Sequence, residues 1–250
     1  GFVKKSNANI FLFINAFLWG SSYVWSKMLL SFLPRFAILF ICSLGGLVTT
    51  VAVFRKSLKG FMSIGEIFPS IIVSSFSITS NTFFMFALQY TNSSNAAFIV
   101  QISVILTPII MAAIDKKLPD ARIIFSAFLA LAGLFVLTCD FKTFSLNIGD
   151  LFALGNALFF SLHLAGLKVI SKKVGSVKFT ALHHVLNTLV FFAMTMFIGT
   201  GSIESSMFKT PIFILLAAVS IFISAFTILI QSTAMKFARP EKATLIYTFE

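Results

Sequence analysis

Asn15-Ala16-Phe17-Leu18-Trp19-Gly20, with Lys27 after it, returns further along the chain as Asn156-Ala157-Leu158-Phe159-Phe160-Ser161, with Lys168 after it. The Asn, the Ala and the Lys keep their offsets, 141 positions apart. Each run sits in an apolar segment long enough to cross a bilayer. Duplication inside a chain of membrane spans is the sequence signature of carriers built from two related halves.

Composition agrees with a lipid-solvated chain. Of the 250 residues, 58% are hydrophobic and 11% charged, where a soluble domain carries roughly 25% charged residues. So few charges cannot cover an aqueous surface. At roughly 20 residues per span, the length holds about eight to ten helices. The apolar runs are uninterrupted and do not alternate, which disfavours a membrane β-barrel. The net charge of +11 does not read as nucleic-acid binding, because Lys and Arg cluster in short breaks between apolar runs. Cys42 and Cys139 both lie within apolar runs and read as small buried thiols, not as a disulfide or a metal pair.

Apolar runs predict helices at about 8–30, 36–54, 64–88, 92–114, 121–139, 150–170, 179–199 and 211–235, with a ninth starting near 240. The breaks carry turn and charge signals, such as Leu33-Pro34-Arg35, Lys116-Lys117-Leu118-Pro119 and Ala238-Arg239-Pro240. No cleavable signal peptide is expected. The chain opens on Gly, and Glu250 falls early in the ninth run, so trimming at both ends is expected.

The basic residues orient this parse. With the N-terminus cytoplasmic, that side receives Lys4, Lys5, Arg55, Lys56, Lys59, Lys116, Lys117, Arg122, Lys172, Lys173, Lys178, Lys236, Arg239 and Lys242. The other side receives only Arg35, Lys142 and Lys209. The bias follows the positive-inside rule, and a parse wrong by one helix would scramble it. The first run then leaves the cytoplasm and its repeat partner, the sixth, returns to it. Such halves are inverted, and inverted halves offer two near-equivalent packings, one open to each side.

A second repeated pair supports this. Ala87-Leu88-Gln89-Tyr90, then Asn95-Ala96-Ala97, matches Ala234-Met235-Lys236-Phe237, then Lys242-Ala243-Thr244. By that alignment Glu250 corresponds to Ser103, and most of the ninth helix and all of the tenth are expected past the end of the chain.

Leu18-Trp19-Gly20-Ser21-Ser22-Tyr23-Val24 with Lys27 resembles the first-helix motif of the EamA family, within the drug/metabolite transporter superfamily. Ala87-Leu88-Gln89-Tyr90-Thr91, with Ala96-Ala97-Phe98-Ile99 and Pro108, is similar to that family's signature between helices three and four. Ala132-Gly133-Leu134 and Gly149-Asp150-Leu151 resemble its fifth helix and the start of its second half. The likeness covers nearly the whole chain. It implies an all-α polytopic membrane protein with an inverted five-plus-five transmembrane helix repeat, here truncated in helix nine. The first repeat would span 1–140 and the second 149–250. It further implies export or exchange of small metabolites such as amino acids, or of toxic compounds, across a bacterial inner membrane. Two departures stand out: the second helix lacks an internal basic residue, and Phe160-Ser161 replaces Trp-Gly in the second half.

Polar groups inside membrane helices usually face a cavity or a neighbouring helix. Asn15 and Asn156 therefore mark either a substrate path or an interhelical hydrogen bond. Trp19 and Tyr23, four residues apart, share a helix face and could wall an organic substrate; for Tyr23 with Trp25, an interfacial belt is the alternative. His163 could bind substrate or carry a proton. His183 and His184 are adjacent, point in different directions and do not read as a metal pair. Asn81, Gln101 and Gln231 are mid-span amides expected to border the central cavity of the resembled fold. Tyr247 and Glu250 belong to the ninth helix, where a carboxylate would be a proton-coupling candidate beside His163. Lys27 and Lys168 read as lysines that snorkel to headgroups. Most of the 33 phenylalanines should face lipid or pack.

A secondary transporter is the leading expectation. There is no Walker loop to bind ATP, and neither a cofactor nor a metal is implied. A membrane enzyme would need a Ser/His pair, a carboxylate pair or a metal helix, and none is visible. A channel would need a filter ring, commonly from oligomer symmetry. Expected partners are a small-molecule substrate and the bilayer, without nucleic acid; a homodimer is an open arrangement. The neutral-polar and aromatic candidates suit a zwitterionic or weakly polar substrate.

Overall fold

The computed structural model describes residues 7–60, 62–119, 121–138, 147–198 and 210–249, with side chains described as far as Gly133 in the helix that ends at Thr138. The described residues form helices and turns without strands. In chain order the helices are α1 (Ala8–Leu29), α2 (Arg35–Phe54), α3 (Ile64–Tyr90), α4 (Ser93–Val100), α5 (Ser103–Asp115), α6 (Ala121–Thr138), α7 (Ile148–Ile170), α8 (Ser176–Phe197), α9 (Pro211–Ala234) and α10 (Pro240–Tyr247).

Six segments among the described residues are long and apolar enough to cross a membrane: α2 with its short continuation to Leu58, α3, α4 with α5, α7, α8 and α9. The described apolar stretch of α6, Ala121–Gly133, is shorter. α1 has the length of a span but is diluted by Asn9, Asn15, Ser21, Ser22 and Lys27. Its polarity follows from its position, because α1 packs on α9 and α10 and one of its faces borders a cavity. Phe17, Phe125 and Leu189 stand on outer faces with most of their surface exposed, as expected where lipid is the solvent.

The run predicted as one helix over 92–114 is interrupted at Gln101 and Ile102. There the backbone makes short-range bonds, Gln101 N–H to Phe98 C=O at 3.1 Å and Ile102 N–H to Ile99 C=O at 3.0 Å. α10 ends the same way, with Phe249 N–H bonded to Ile246 C=O at 3.2 Å. The residues that follow the two short helices share one backbone conformation, φ −69°, ψ −9° at Gln101 and φ −65°, ψ −9° at Thr248.

Helix ends meet in a definite pattern. At one face of the bundle the C-terminal ends of α1 and α3 meet the N-terminal end of α7. Lys27 Nζ donates to the carbonyls of Leu88 and Thr91, the latter at 3.1 Å. Thr91 Oγ1 donates to Asp150 Oδ1 at 3.0 Å and accepts from Asn147 Nδ2 at 3.2 Å. Asn147 and Asp150 also cap the first turn of α7 reciprocally. Gly149 makes this junction possible: a Cβ there would stand 2.7 Å from the Thr91 backbone nitrogen.

At the opposite face the C-terminal ends of α7 and α9 meet the N-terminal end of α1. Lys168 Nζ donates to the carbonyls of Met235 at 3.2 Å and Ala238 at 2.7 Å. A buried apolar cluster seals this end, including Leu12, Leu164, Leu167, Met235, Ala238 and Tyr247. α3 and α7 therefore run antiparallel, as do α1 and α9. α2 packs chiefly on α8 and α9.

Candidate functional site

A cavity of about 170 Å³ lies among α1, α2, α3, α7, α8 and α9. That is many times the roughly 10–15 Å³ that one water needs on this measure. From α1 it is lined by Trp19, Ser22, Tyr23 and Ser26, and from α3 by Ser77, Ser80, Asn81 and Phe84. Both series step by three, four and seven residues, the spacing of one helix face. α7 adds Asn156, Phe160 and His163, and α9 adds Ser224, Thr227 and Ile228. The lining contains repeat-equivalent pairs: Trp19 with Phe160, Ser22 with His163, Ser77 with Ser224, Ser80 with Thr227. The cavity reaches Ser26 and Ile38, where α1 ends and α2 begins; the apolar cluster around Leu12 and Leu167 closes the other end.

Two aromatic rings of the wall, Trp19 and Phe160, pack with Tyr247 behind them. The Trp19 ring stands 5.2 Å from Phe160 and 5.4 Å from Tyr247, and Phe160 stands 5.9 Å from Tyr247. Tyr23 is buried and meets Phe84 edge to face at 5.1 Å, so it is a cavity residue and not a member of a surface belt.

Polar groups link the helices. Asn15 Nδ2 donates to Tyr247 Oη at 3.0 Å, and Gln231 Nε2 lies 3.4 Å from that hydroxyl. Gln231 Oε1 lies 3.2 Å from His163 Nε2, and His163 Nδ1 lies 3.0 Å from the Val73 carbonyl. In this arrangement both imidazole nitrogens face acceptors, which fits an imidazolium. Reversing the Gln231 amide lets its NH2 donate to Nε2 of a neutral ring, with Nδ1–H still donating to Val73. The chain of groups runs through α1, α10, α9, α7 and α3. Asn156 Oδ1 accepts from Ser80 Oγ at 2.6 Å, tying α7 to α3.

Of the predicted residues, Trp19, Tyr23, Asn81, Asn156 and His163 line the cavity. Gln231 and Tyr247 stand behind it, in contact with His163 and Trp19 respectively. Gln101 is buried at the α4–α5 interruption, outside the lining. Glu250 and Cys139 lie outside the described residues. Asn15 is wholly buried and bonded between helices. Lys27 and Lys168, read as snorkelling, instead hold main-chain carbonyls at the turns after α3 and α9.

Sequence reasoning passed over the serine face of α3, the Ser224 and Thr227 face of α9 and Asn187 on α8, and it weighed His183 and His184 without counting them as site residues; all of these reach the cavity. The i, i+3, i+4, i+7 recurrence of small polar residues in otherwise apolar helices was the signal for α3 and α9. His163 and His183 have ring centroids 5.9 Å apart, and His183 and His184 5.7 Å. Among the described residues no group of His, Cys, Asp and Glu has the geometry of a metal site.

The EamA-like transporter family model matches residues 6–139. An "Uncharacterized transporter" from Archaeoglobus fulgidus is 30% identical over 174 residues, covering 68% of this chain and 52% of that protein. The chain thus spans about half the length of this relative. A solved structure described as "Crystal structure of protein" superposes with a TM-score of 0.74 at 16% identity, covering 98% of this chain and 86% of the other. At that identity the likeness bears on the fold alone.

Proposed function

The chain belongs to the EamA-like transporter family, and from that premise we propose that it is a secondary carrier moving small organic metabolites, amino acids or compounds like them, by alternating access. Family membership supports membrane transport as the general activity; the substrate, the direction and the mechanism go further.

The observation that carries it is the pairing of repeat-equivalent residues around one cavity, Trp19 with Phe160 and Ser22 with His163. Two repeats, the first over 1–140 and the second from 149 onward, would each contribute half of the path. Their inversion is supported by the antiparallel course of α1 and α7, and by the matched bonds of Lys27 to Leu88 and Thr91 and of Lys168 to Met235 and Ala238. With the N-terminus cytoplasmic in a bacterial inner membrane, the cavity leans toward the outer face and the Leu12–Leu167 cluster is the closed inner gate. Exchange of these roles between equivalent elements is the alternating step. His163, with two hydrogen-bonded ring nitrogens, is the proton-coupling group of this scheme.

Counterflow tests the proposal. Full-length protein in proteoliposomes preloaded with unlabelled amino acids and metabolites should accumulate the matching labelled compound transiently and saturably. A folded, reconstituted protein that shows no counterflow with any of these compounds contradicts it. Uptake by Trp19→Ala and His163→Ala variants equal to that of the parent would remove both residues from the path.

A further inference from the structure

We infer that His183 and His184 form a carboxylate-binding pole of the cavity, opposite in chemistry to the aromatic wall of Trp19 and Phe160. This inference rests on the carrier reading and narrows its substrate to molecules that bear a carboxylate.

Three observations carry it. First, both histidines line the cavity and each is only 2% exposed, yet His183 Nδ1 and His184 Nε2 have no hydrogen-bond partner. A buried imidazole nitrogen without a partner is costly, and native structures rarely keep one unless a ligand or water meets it. Asn187, one turn further along α8, also lines the cavity, with its Nδ2 turned back to the His183 carbonyl at 2.7 Å.

Second, the structure makes room for His184. On α2, a Cβ at Gly46 would fall 2.5 Å from His184 Cε1 and 2.9 Å from each ring nitrogen. The imidazole is seated where only glycine allows it. Packing alone would be satisfied by an aliphatic side chain at 184 and an alanine at 46.

Third, charge balance selects the ligand. The described lining contains three imidazoles and no Asp, Glu, Lys or Arg. A charged group brought into a low-dielectric cavity needs a counter-charge. An imidazole offers N–H donors to an anion and can take up a proton together with it, while an ammonium group finds no carboxylate in the described lining. The remaining support for an ammonium group is the face of the aromatic wall. A zwitterion would place its carboxylate on α8 and its ammonium against the rings.

The test uses counterflow with full-length protein and chemically matched probes: amino acids, 3-phenylpropionate, its methyl ester and phenethylamine. The parent is expected to move carboxylates and to reject the ester. His183→Phe and His184→Phe are expected to raise the KM for carboxylates at least tenfold. His183→Asn and His184→Gln, which keep a donor near each orphan nitrogen, should recover most of that loss. Gly46→Ala, which displaces the His184 ring, should raise the KM without touching either histidine. Monodisperse gel filtration qualifies each variant as folded, and the conservative pair stands in where a phenylalanine variant fails to fold. Transport of the amine or ester by the parent with carboxylates excluded, or a carboxylate KM unmoved in folded variants, overturns the inference and leaves the carrier reading standing. A parent that moves none of the probes or of the wider metabolite set overturns both.

Discussion

Lys168 Nζ lies 2.7 Å from the carbonyl of Ala238, across the turn between α9 and α10. The equivalent lysine, Lys27, reaches the carbonyl of Thr91 at 3.1 Å, across the turn between α3 and α4. The last carbonyls of a helix lack intrahelical partners, and in a membrane water does not supply them. A cation at a helix C-terminus also meets the negative end of its dipole. Each lysine thus stands where a long helix gives way, through a turn, to a short one.

Removal of either lysine should therefore destabilise the fold without altering substrate recognition. A hydrogen bond to a charged group contributes about 1.5–3 kcal/mol. Lys27→Met and Lys168→Met should each lower the thermal unfolding midpoint in detergent by similar amounts, while the KM of the protein that remains folded stays near that of the parent. A lysine that only snorkels would leave the midpoint unchanged.

Gly149 and Gly133 make a contrasting pair. A Cβ at Gly149 would meet the Thr91 backbone at 2.7 Å, whereas nothing lies within 4 Å of one at Gly133. Backbone cannot yield as a flexible side chain can, so Gly149→Ala should separate α7 from the turn after α3. We expect a loss of about 1–3 kcal/mol, in the range of overpacking. Gly133→Ala should be neutral or stabilising by up to about 1 kcal/mol, from helix propensity. Thermal unfolding of the two variants side by side measures the difference.

Asn15 and Tyr247 join α1 to α10 by a buried hydrogen bond of 3.0 Å. Such bonds in membrane proteins average roughly 0.6 kcal/mol in double-mutant cycles. A cycle built from Asn15→Leu and Tyr247→Phe should give a coupling of about that size. A coupling of zero would show that the two side chains are merely adjacent.

Trp19 and Phe160 should share one effect. Aromatic pairs contribute about 0.5–1.5 kcal/mol beyond their buried area. Trp19→Leu and Phe160→Leu should each raise the KM for a transported compound roughly three- to tenfold, with less effect in the double variant than the product of the two. Independent, multiplicative effects would place the rings in separate environments.

The helices were legible because length and hydropathy decide them: the predicted boundaries at 36–54, 64–88 and 211–235 lie within about two residues of α2, α3 and α9. The interruption at Gln101 was not, because nothing in Ile99 to Val104 breaks a helix by composition, and only the i−3 bonding reveals it. The matching runs around Asn15 and Lys27 and around Asn156 and Lys168 were visible in the sequence, but what the lysines do was not. Their acceptors are main-chain carbonyls, which leave no mark in sequence. Trp19, Tyr23, Asn81, Asn156 and His163 were found because large or polar groups are conspicuous in apolar helices. The serines of α3 and α9 are small enough to pass as packing residues. His183 and His184 were read only as not a metal pair, because adjacent helical positions point apart; both line the cavity, with His184 seated against Gly46 of α2.

Reciprocal accessibility of the two ends of the cavity tests the account most directly. Ser26→Cys marks the open end and Leu167→Cys the sealed cluster, each in a protein with Cys42 and Cys139 replaced by serine. Membrane-impermeant thiol reagents would be applied from each side of proteoliposomes, with and without a transported compound. The account predicts that Ser26→Cys labels from the outer side and Leu167→Cys only from the inner side, and that any condition raising one rate lowers the other. Labelling of both positions from the same side, or rates that rise and fall together, would contradict it.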